Sequence, residues 1–186
     1  MRKSLAYSCL VCAVLAALDL ARASESPVAP SWLSEVRIGA FAHDPASPEK
    51  GSADLNAEIL FARPFSPDNA FLRYLVPRPH LGATANFAGR TSQIYAGGTW
   101  TFDLTRSFFV EGAFGGSLNN GDASVRVRKA RNAIGSNVLF HEAASLGYRV
   151  TPNWSVIGTV EHSSNAGFRS QNRGLTNFGI RIGYGF

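Results

Sequence analysis

This sequence predicts an all-β chain, an eight-stranded antiparallel up-and-down transmembrane β-barrel, from three observations. Apolar and polar residues alternate at period two through eight runs of about ten residues, the length a tilted strand needs to cross a bilayer. The connections between runs alternate between short and long, as barrels do with tight turns on one side of the membrane and loops on the other. Aromatic residues such as Trp100, Phe102, Trp154, Tyr184 and Phe186 gather near the ends of the runs, where a membrane girdle would place them.

Taken in order, the first run, Ser34 to His43, sets Val36, Ile38, Ala40 and Ala42 against Glu35, Arg37 and His43. The second interleaves Leu55, Ala57, Ile59 and Phe61 with Asn56 and Glu58, and the third Leu81, Ala83, Ala85 and Phe87 with Gly82, Thr84 and Asn86. The fourth opposes Ile94, Ala96, Trp100 and Phe102 to Gln93, Tyr95, Thr99 and Asp103. Phe108, Val110 and Phe114 face away from Glu111 in the fifth; Phe140, Ala144, Leu146, Tyr148 and Val150 face away from His141, Ser145 and Arg149 in the sixth. The seventh has Trp154, Val156 and Val160 against Ser155, Thr159 and Glu161. The last has Phe178, Ile180, Ile182, Tyr184 and Phe186 against Asn177 and Arg181, and the chain stops on that aromatic.

Alternation alone also fits a secreted β-sandwich, which buries its apolar face between two sheets. The lengths of the connections favour the barrel. Asp103–Arg106 and Thr151–Asn153 are tight, whereas 118–135 and 165–174 are long. With both termini periplasmic, the outer loops fall at 44–53, 88–91, 118–135 and 165–174. The stretch 63–79 fits badly, being long and containing Phe71-Leu72-Arg73-Tyr74-Leu75-Val76 where a turn is due. It is expected to hold a short interfacial helix or further strand.

The N-terminus reads as a secretory signal peptide over 1–23: Arg2-Lys3, an apolar stretch from Leu5 to Leu18, then Ala21-Arg22-Ala23. Residues 24–186 are then the barrel. Cys9 and Cys12 both lie within the signal, so the mature chain carries no thiol and no disulfide. The formal charge of +5 falls to +3 when Arg2, Lys3, Arg22 and Asp19 are removed, too diffuse an excess to argue for nucleic acid. No later stretch is apolar enough for a transmembrane helix.

The chemistry concentrates at His162-Ser163-Ser164-Asn165-Ala166-Gly167. Residues two apart on a strand share a face, so His162 and Ser164 can sit side by side as base and nucleophile. Both are on the even-numbered, apolar face of their strand, which in a barrel looks toward lipid. Polar groups there are costly unless something uses them. If Thr151-Pro152-Asn153 closes a hairpin, Glu142 falls directly opposite His162, where a carboxylate can orient an imidazole. Asn165 and neighbouring backbone N–H groups, Gly167 among them, are candidate oxyanion donors. Arg126, Arg128, Lys129 and Arg131 make the third outer loop basic, suited to phosphates. His43, His80 and His141 read as structural, and no phosphate-binding loop, metal-spaced cluster or G-x-S-x-G elbow is present.

With these residues in view the chain resembles the lipid A 3-O-deacylases, eight-stranded outer-membrane barrels. The resemblance rests on H-S-S-N-A-G at 162–167, on Phe140-His141-Glu142 to Leu146-Gly147-Tyr148, and on Gly174-Leu175 to Gly183-Tyr184-Gly185-Phe186. It implies removal of the ester-linked 3-hydroxyacyl chain from the 3-position of lipid A in the outer leaflet of the outer membrane. Ser164 would be nucleophile, His162 general base and Asn165 part of the oxyanion hole, with no metal or organic cofactor. Well-known members carry a glutamate twelve residues after the serine; counting from Ser164 reaches Thr176, with Asn177 beside it pointing inward. Either Glu142 supplies the acid from the other flank, or a Ser–His dyad acts. The alternative function is a noncatalytic barrel that stabilises the membrane or binds lipopolysaccharide. The oligomeric state is open, a homodimer included.

Overall fold

The computed structural model describes residues 32–123 and 130–186. The expected signal peptide, 1–23, and the loop residues Arg126 and Arg128 lie outside the described residues. Eight strands follow one another around a closed antiparallel barrel: β1 (Leu33–His43), β2 (Ser52–Phe61), β3 (Arg78–Asn86), β4 (Gln93–Asp103), β5 (Phe108–Asn119), β6 (Val138–Arg149), β7 (Trp154–Ser164) and β8 (Leu175–Gly185). The ring closes where β8 pairs with β1, so no strand edge is left without a partner. One end of the barrel carries the loops 44–51, 87–92, 120–137 and 165–174. The other carries 104–107, 150–153 and the longer connection 62–77.

The alternation read from the sequence becomes an inside and an outside. Ile38, Leu81, Ile94, Leu146 and Ile180, from five strands, are each half exposed or more on the outer wall. No water-soluble protein presents a continuous apolar band of that kind, whereas a bilayer demands one. Tyr184 packs edge-on against both Trp154 and Phe186, and Phe108 tilts against Tyr148 with ring centroids 4.9 Å apart. All five lie at the turn end, where such rings meet lipid headgroups.

The interior is polar and filled. Arg37 grips Glu35 and Glu111 through paired contacts of 2.7–2.9 Å, and reaches Glu58 at 3.3 Å. Arg181 joins Glu58 to Glu161, which also accepts from Thr84 and Asn177. Buried charges are tolerated when each has an opposite partner and hydrogen bonds, and these do. Tyr95 stacks on His141 at 4.1 Å, and Phe41 fills the space over Gly179, where a Cβ would meet the ring at 1.8 Å. Packing of this kind leaves no room for a pore.

The 62–77 connection holds one turn of helix, α1 (Ala70–Leu75), capped by Asn69, whose side chain accepts from the N–H groups of Phe71 and Leu72. It is the short helix rather than a hidden strand. Leu75 presents its carbonyl to the indole N–H of Trp100 at 3.0 Å, and Tyr74 stacks on Phe102. Trp100 and Phe102 belong to the outward-facing set of β4, so α1 leans on the lipid side of the wall.

Candidate active site on the outer wall

His162 and Ser164 lie at the loop end of β7, both half-buried on the outward face. The register puts β6 and β8 on either side of them. Glu142 pairs with His162 from β6 and Phe140 with Ser164, while Thr176 pairs with His162 from β8. The imidazole turns to β8: its Nδ1 is 2.8 Å from the Thr176 hydroxyl. Glu142 is exposed, and its carboxylate makes no hydrogen bond or ion pair with the described residues. Directly opposed residues have Cβ atoms about 4.5–5.5 Å apart, so this charge stays close to the ring without touching it. No hydrogen bond joins Ser164 to His162, although the two share a face.

Gly174 leaves room for the ring. It sits at φ +73°, and a Cβ there would lie 2.8 Å from His162 Cε1 and 3.3 Å from Nε2. Only glycine combines that backbone with that approach. Gly174→Ala is expected to push the imidazole off Thr176. Because displacements near 1 Å cost about a hundredfold in oriented reactions, any activity at this site should fall by roughly that factor with the barrel still folded. Turnover measured beside far-ultraviolet circular dichroism checks it.

The loops behind the site are tied together by one buried carboxylate. Glu49 accepts from the Thr91 N–H at 2.7 Å, the Thr91 hydroxyl at 3.0 Å and the Asn132 N–H at 3.0 Å, and it meets His43 Nε2 at 3.0 Å. Arg131, part of the basic loop cluster in the sequence, turns inward to 3.3 Å from Glu49 and donates to the Gly89 carbonyl, so it is not free to meet a phosphate. Asn132 in turn donates to Asp44 and to the Gly174 carbonyl. A chain of contacts thus runs from the first loop to the residue beside the imidazole.

Burial alone would raise the Glu49 carboxyl, but hydrogen bonds from His43, Asn132 and Thr91 outweigh it and lower it from 4.5 to about 2. With the folded value depressed, the carboxylate stabilises the loops fully above about pH 4.5, and that contribution is lost as pH falls toward 2. Glu49→Gln should remove this dependence at a cost of about 2 kcal/mol. The amides of Thr91 and Asn132 should then exchange roughly thirtyfold faster by hydrogen–deuterium exchange.

Asn165 is buried and organises the turn. Its amide donates to the carbonyls of Ile134 (2.8 Å) and Gln171 (2.6 Å), and its Oδ1 accepts from the N–H of Gly167 at 3.1 Å. The Asn165 side chain and the Gly167 N–H are therefore engaged with the loop. Next to them, the Ala166 N–H has no acceptor among the described residues, and Ala166 adopts φ +52°. On the other side of Ser164 is a row of rings, Phe114 on Phe140 and Phe140 on Phe168, each pair 6.1 Å apart.

The other histidines are interior. His43 is held between Asp54 and Glu49, His80 against Thr99, and His141 against Ser163. The residues that the sequence did not single out are Gly174, Glu49 and Thr176 as a hydrogen-bond partner. Thr176 had a usable signal, because pairing Trp154 with Tyr184 sets it opposite His162. Gly174 and Glu49 act through loop geometry, which carries no period.

The profile of the family described as lipid A 3-O-deacylase (PagL) matches residues 80–185, from β3 to the end of β8 and including Glu142, His162, Ser164, Gly174 and Thr176. No curated protein sequence matches the chain. Among solved structures, the crystal structure of the outer membrane enzyme PagL superposes with a TM-score of 0.60 at 17% identity, covering 81% of this chain and 99% of that one. A de novo designed transmembrane β-barrel gives 0.53 at 16% identity, covering 85% and 98%, and the designed barrel TMB2.3 gives 0.51 at 12%, covering 86% and 98%. At these identities the superpositions speak for the fold.

Proposed function

The chain belongs to the lipid A 3-O-deacylase (PagL) family, and on that premise we propose that it is an outer-membrane serine esterase releasing the 3-hydroxyacyl chain at the 3-position of lipid A. The observation that carries the proposal is the hydroxyl-oriented imidazole of His162, facing outward beside Ser164 at the end of the barrel that bears the loops. A polar pair held on a lipid-facing wall is explained by a substrate that is itself a membrane lipid.

With Nδ1–H donated to Thr176, Nε2 is left to take the Ser164 proton. Ser164 Oγ attacks the ester carbonyl carbon, and the oxyanion is met by the Ala166 N–H, in a turn that Asn165 holds in shape. The imidazolium returns the proton to the departing sugar 3-oxygen as the tetrahedral adduct collapses to an acyl-serine. Water, deprotonated by His162, then frees the 3-hydroxy fatty acid and restores Ser164. The acyl chain lies along Phe114, Phe140 and Phe168.

The acid's two tasks are divided in this site. Thr176 orients the ring, and Glu142, across the strand pair, supplies negative charge near the imidazolium. Glu142 is exposed, so solvent weakens it, and Glu142→Gln is expected to lower kcat about tenfold with KM unchanged. Arg126 and Arg128 are proposed to meet the lipid A phosphates. The deciding assay is release of one 3-hydroxy fatty acid from lipid A in mixed micelles, read by mass spectrometry; the noncatalytic reading requires that none appear.

A further inference from the structure

At the turn end, opposite the catalytic wall, the mouth of the barrel holds a cavity of about 460 Å³ into which Arg63, Arg73, Arg78 and Arg149 all reach. Its carboxylates are already engaged. Glu35 and Glu111 are shared between Arg78 and Arg37, and Asp103 holds Arg149 at 2.6 Å. Arg63 and Arg73 have no such partner among the described residues. Each fixes its guanidinium by donating Nε to a backbone carbonyl, of Val76 at 3.0 Å and Pro67 at 3.3 Å. The terminal nitrogens of both are left without an acceptor among the described residues, and the Nε of Arg78 is buried and unpaired. Two forks, pre-oriented through Nε and uncompensated in charge, match the geometry of a phosphate oxyanion.

The same connection decides what carries that phosphate. It straddles the barrel rim: Arg63, Arg73 and Tyr74 face the cavity, while Tyr74 and Leu75 also rest on the outer wall at Phe102 and Trp100. On the same short helix Phe71 is 70% exposed and Leu75 55%. These side chains meet the acyl chains of the leaflet, which brings a lipid headgroup beside the cavity, whereas a free anion would touch none of them. A lipid would cover them with its chains while its headgroup entered the mouth.

We propose that the cavity is a binding site for one anionic phospholipid of the membrane leaflet at the turn end. Its phosphodiester is held by Arg63 and Arg73, and its acyl chains lie along α1 and the wall of β4. The site is separate from Ser164, which lies at the other end of the barrel.

Native mass spectrometry of the full mature chain, released from micelles containing phosphatidylglycerol or phosphatidylcholine, tests this. One phosphatidylglycerol per barrel should be retained, at least tenfold more than phosphatidylcholine, and Arg63→Gln with Arg73→Gln should lower retention by roughly tenfold or more. Excess inorganic phosphate should not displace it. Equal retention of both lipids by the wild type would overturn the site, a reading that needs no variant to fold. Unchanged retention in the double variant would overturn the assignment of the two arginines. Displacement by inorganic phosphate would overturn the lipid in favour of a free anion.

Discussion

Ser164→Ala is expected to leave lipid A with its full set of acyl chains in cells where the wild-type chain removes one. Removing a serine nucleophile costs about 10⁶-fold in well-studied hydrolases, far beyond what positioning residues contribute. Ser164 makes no side-chain hydrogen bond among the described residues, so alanine should neither unfold the barrel nor disturb its loops. Lipid A mass spectra from outer membranes containing equal amounts of folded protein give the reading. Deacylation that persists in this variant would move the nucleophile elsewhere. Ser163 is not a substitute, since it is fully buried between His141 and Gln93.

Thr176→Glu should raise kcat, by an expected ten- to a hundredfold. A hydroxyl can accept from Nδ1–H, but it can equally donate to a bare Nδ1, which leaves the proton on Nε2 and disables the base. A carboxylate only accepts, so it enforces the useful tautomer and also stabilises the imidazolium; its loss in a triad costs about 10⁴-fold. Glu142→Gln should then cost much less in the Thr176→Glu background than alone, because the charge has a second source. Thr176→Val should lose about tenfold with the barrel intact. An unchanged kcat in Thr176→Glu would show that Thr176 does not act through the ring.

The barrel was legible because membrane strands leave a strong local trace. Period two, turn chemistry and the parity of Trp154, Val156, His162 and Ser164 together fix strands, faces and the outward aim of the site. Hairpin arithmetic across Thr151–Asn153 also set Glu142 against His162, the register observed. Register does not tell which neighbour a side chain turns toward. His162 has candidates on both flanks and turns to the hydroxyl of Thr176, with the bare Cα of Gly174 leaving room for the ring. The loops were the least readable part. Glu49, in a stretch between two strands, looks like any solvated loop acid, yet it is fully buried among donors from three segments. The connection 62–77 broke the short-turn expectation for a local reason: its apolar residues lean on the outside of β4 rather than extend a strand.

His162, Thr176 and Ser164 are aimed sideways, into the plane of the membrane, and that changes what substrate concentration means for this protein. In the proposed reaction, encounter happens by lateral diffusion between neighbours in a two-dimensional fluid. The quantity that sets the rate is the mole fraction of acylated lipid A around the barrel wall, not the amount per volume of surrounding water. Diluting the substrate with another lipid slows turnover even when the total in the tube is constant, while diluting whole vesicles does not. Product stays beside the site until it exchanges with a neighbour, so the packing of the leaflet itself becomes a control on the reaction.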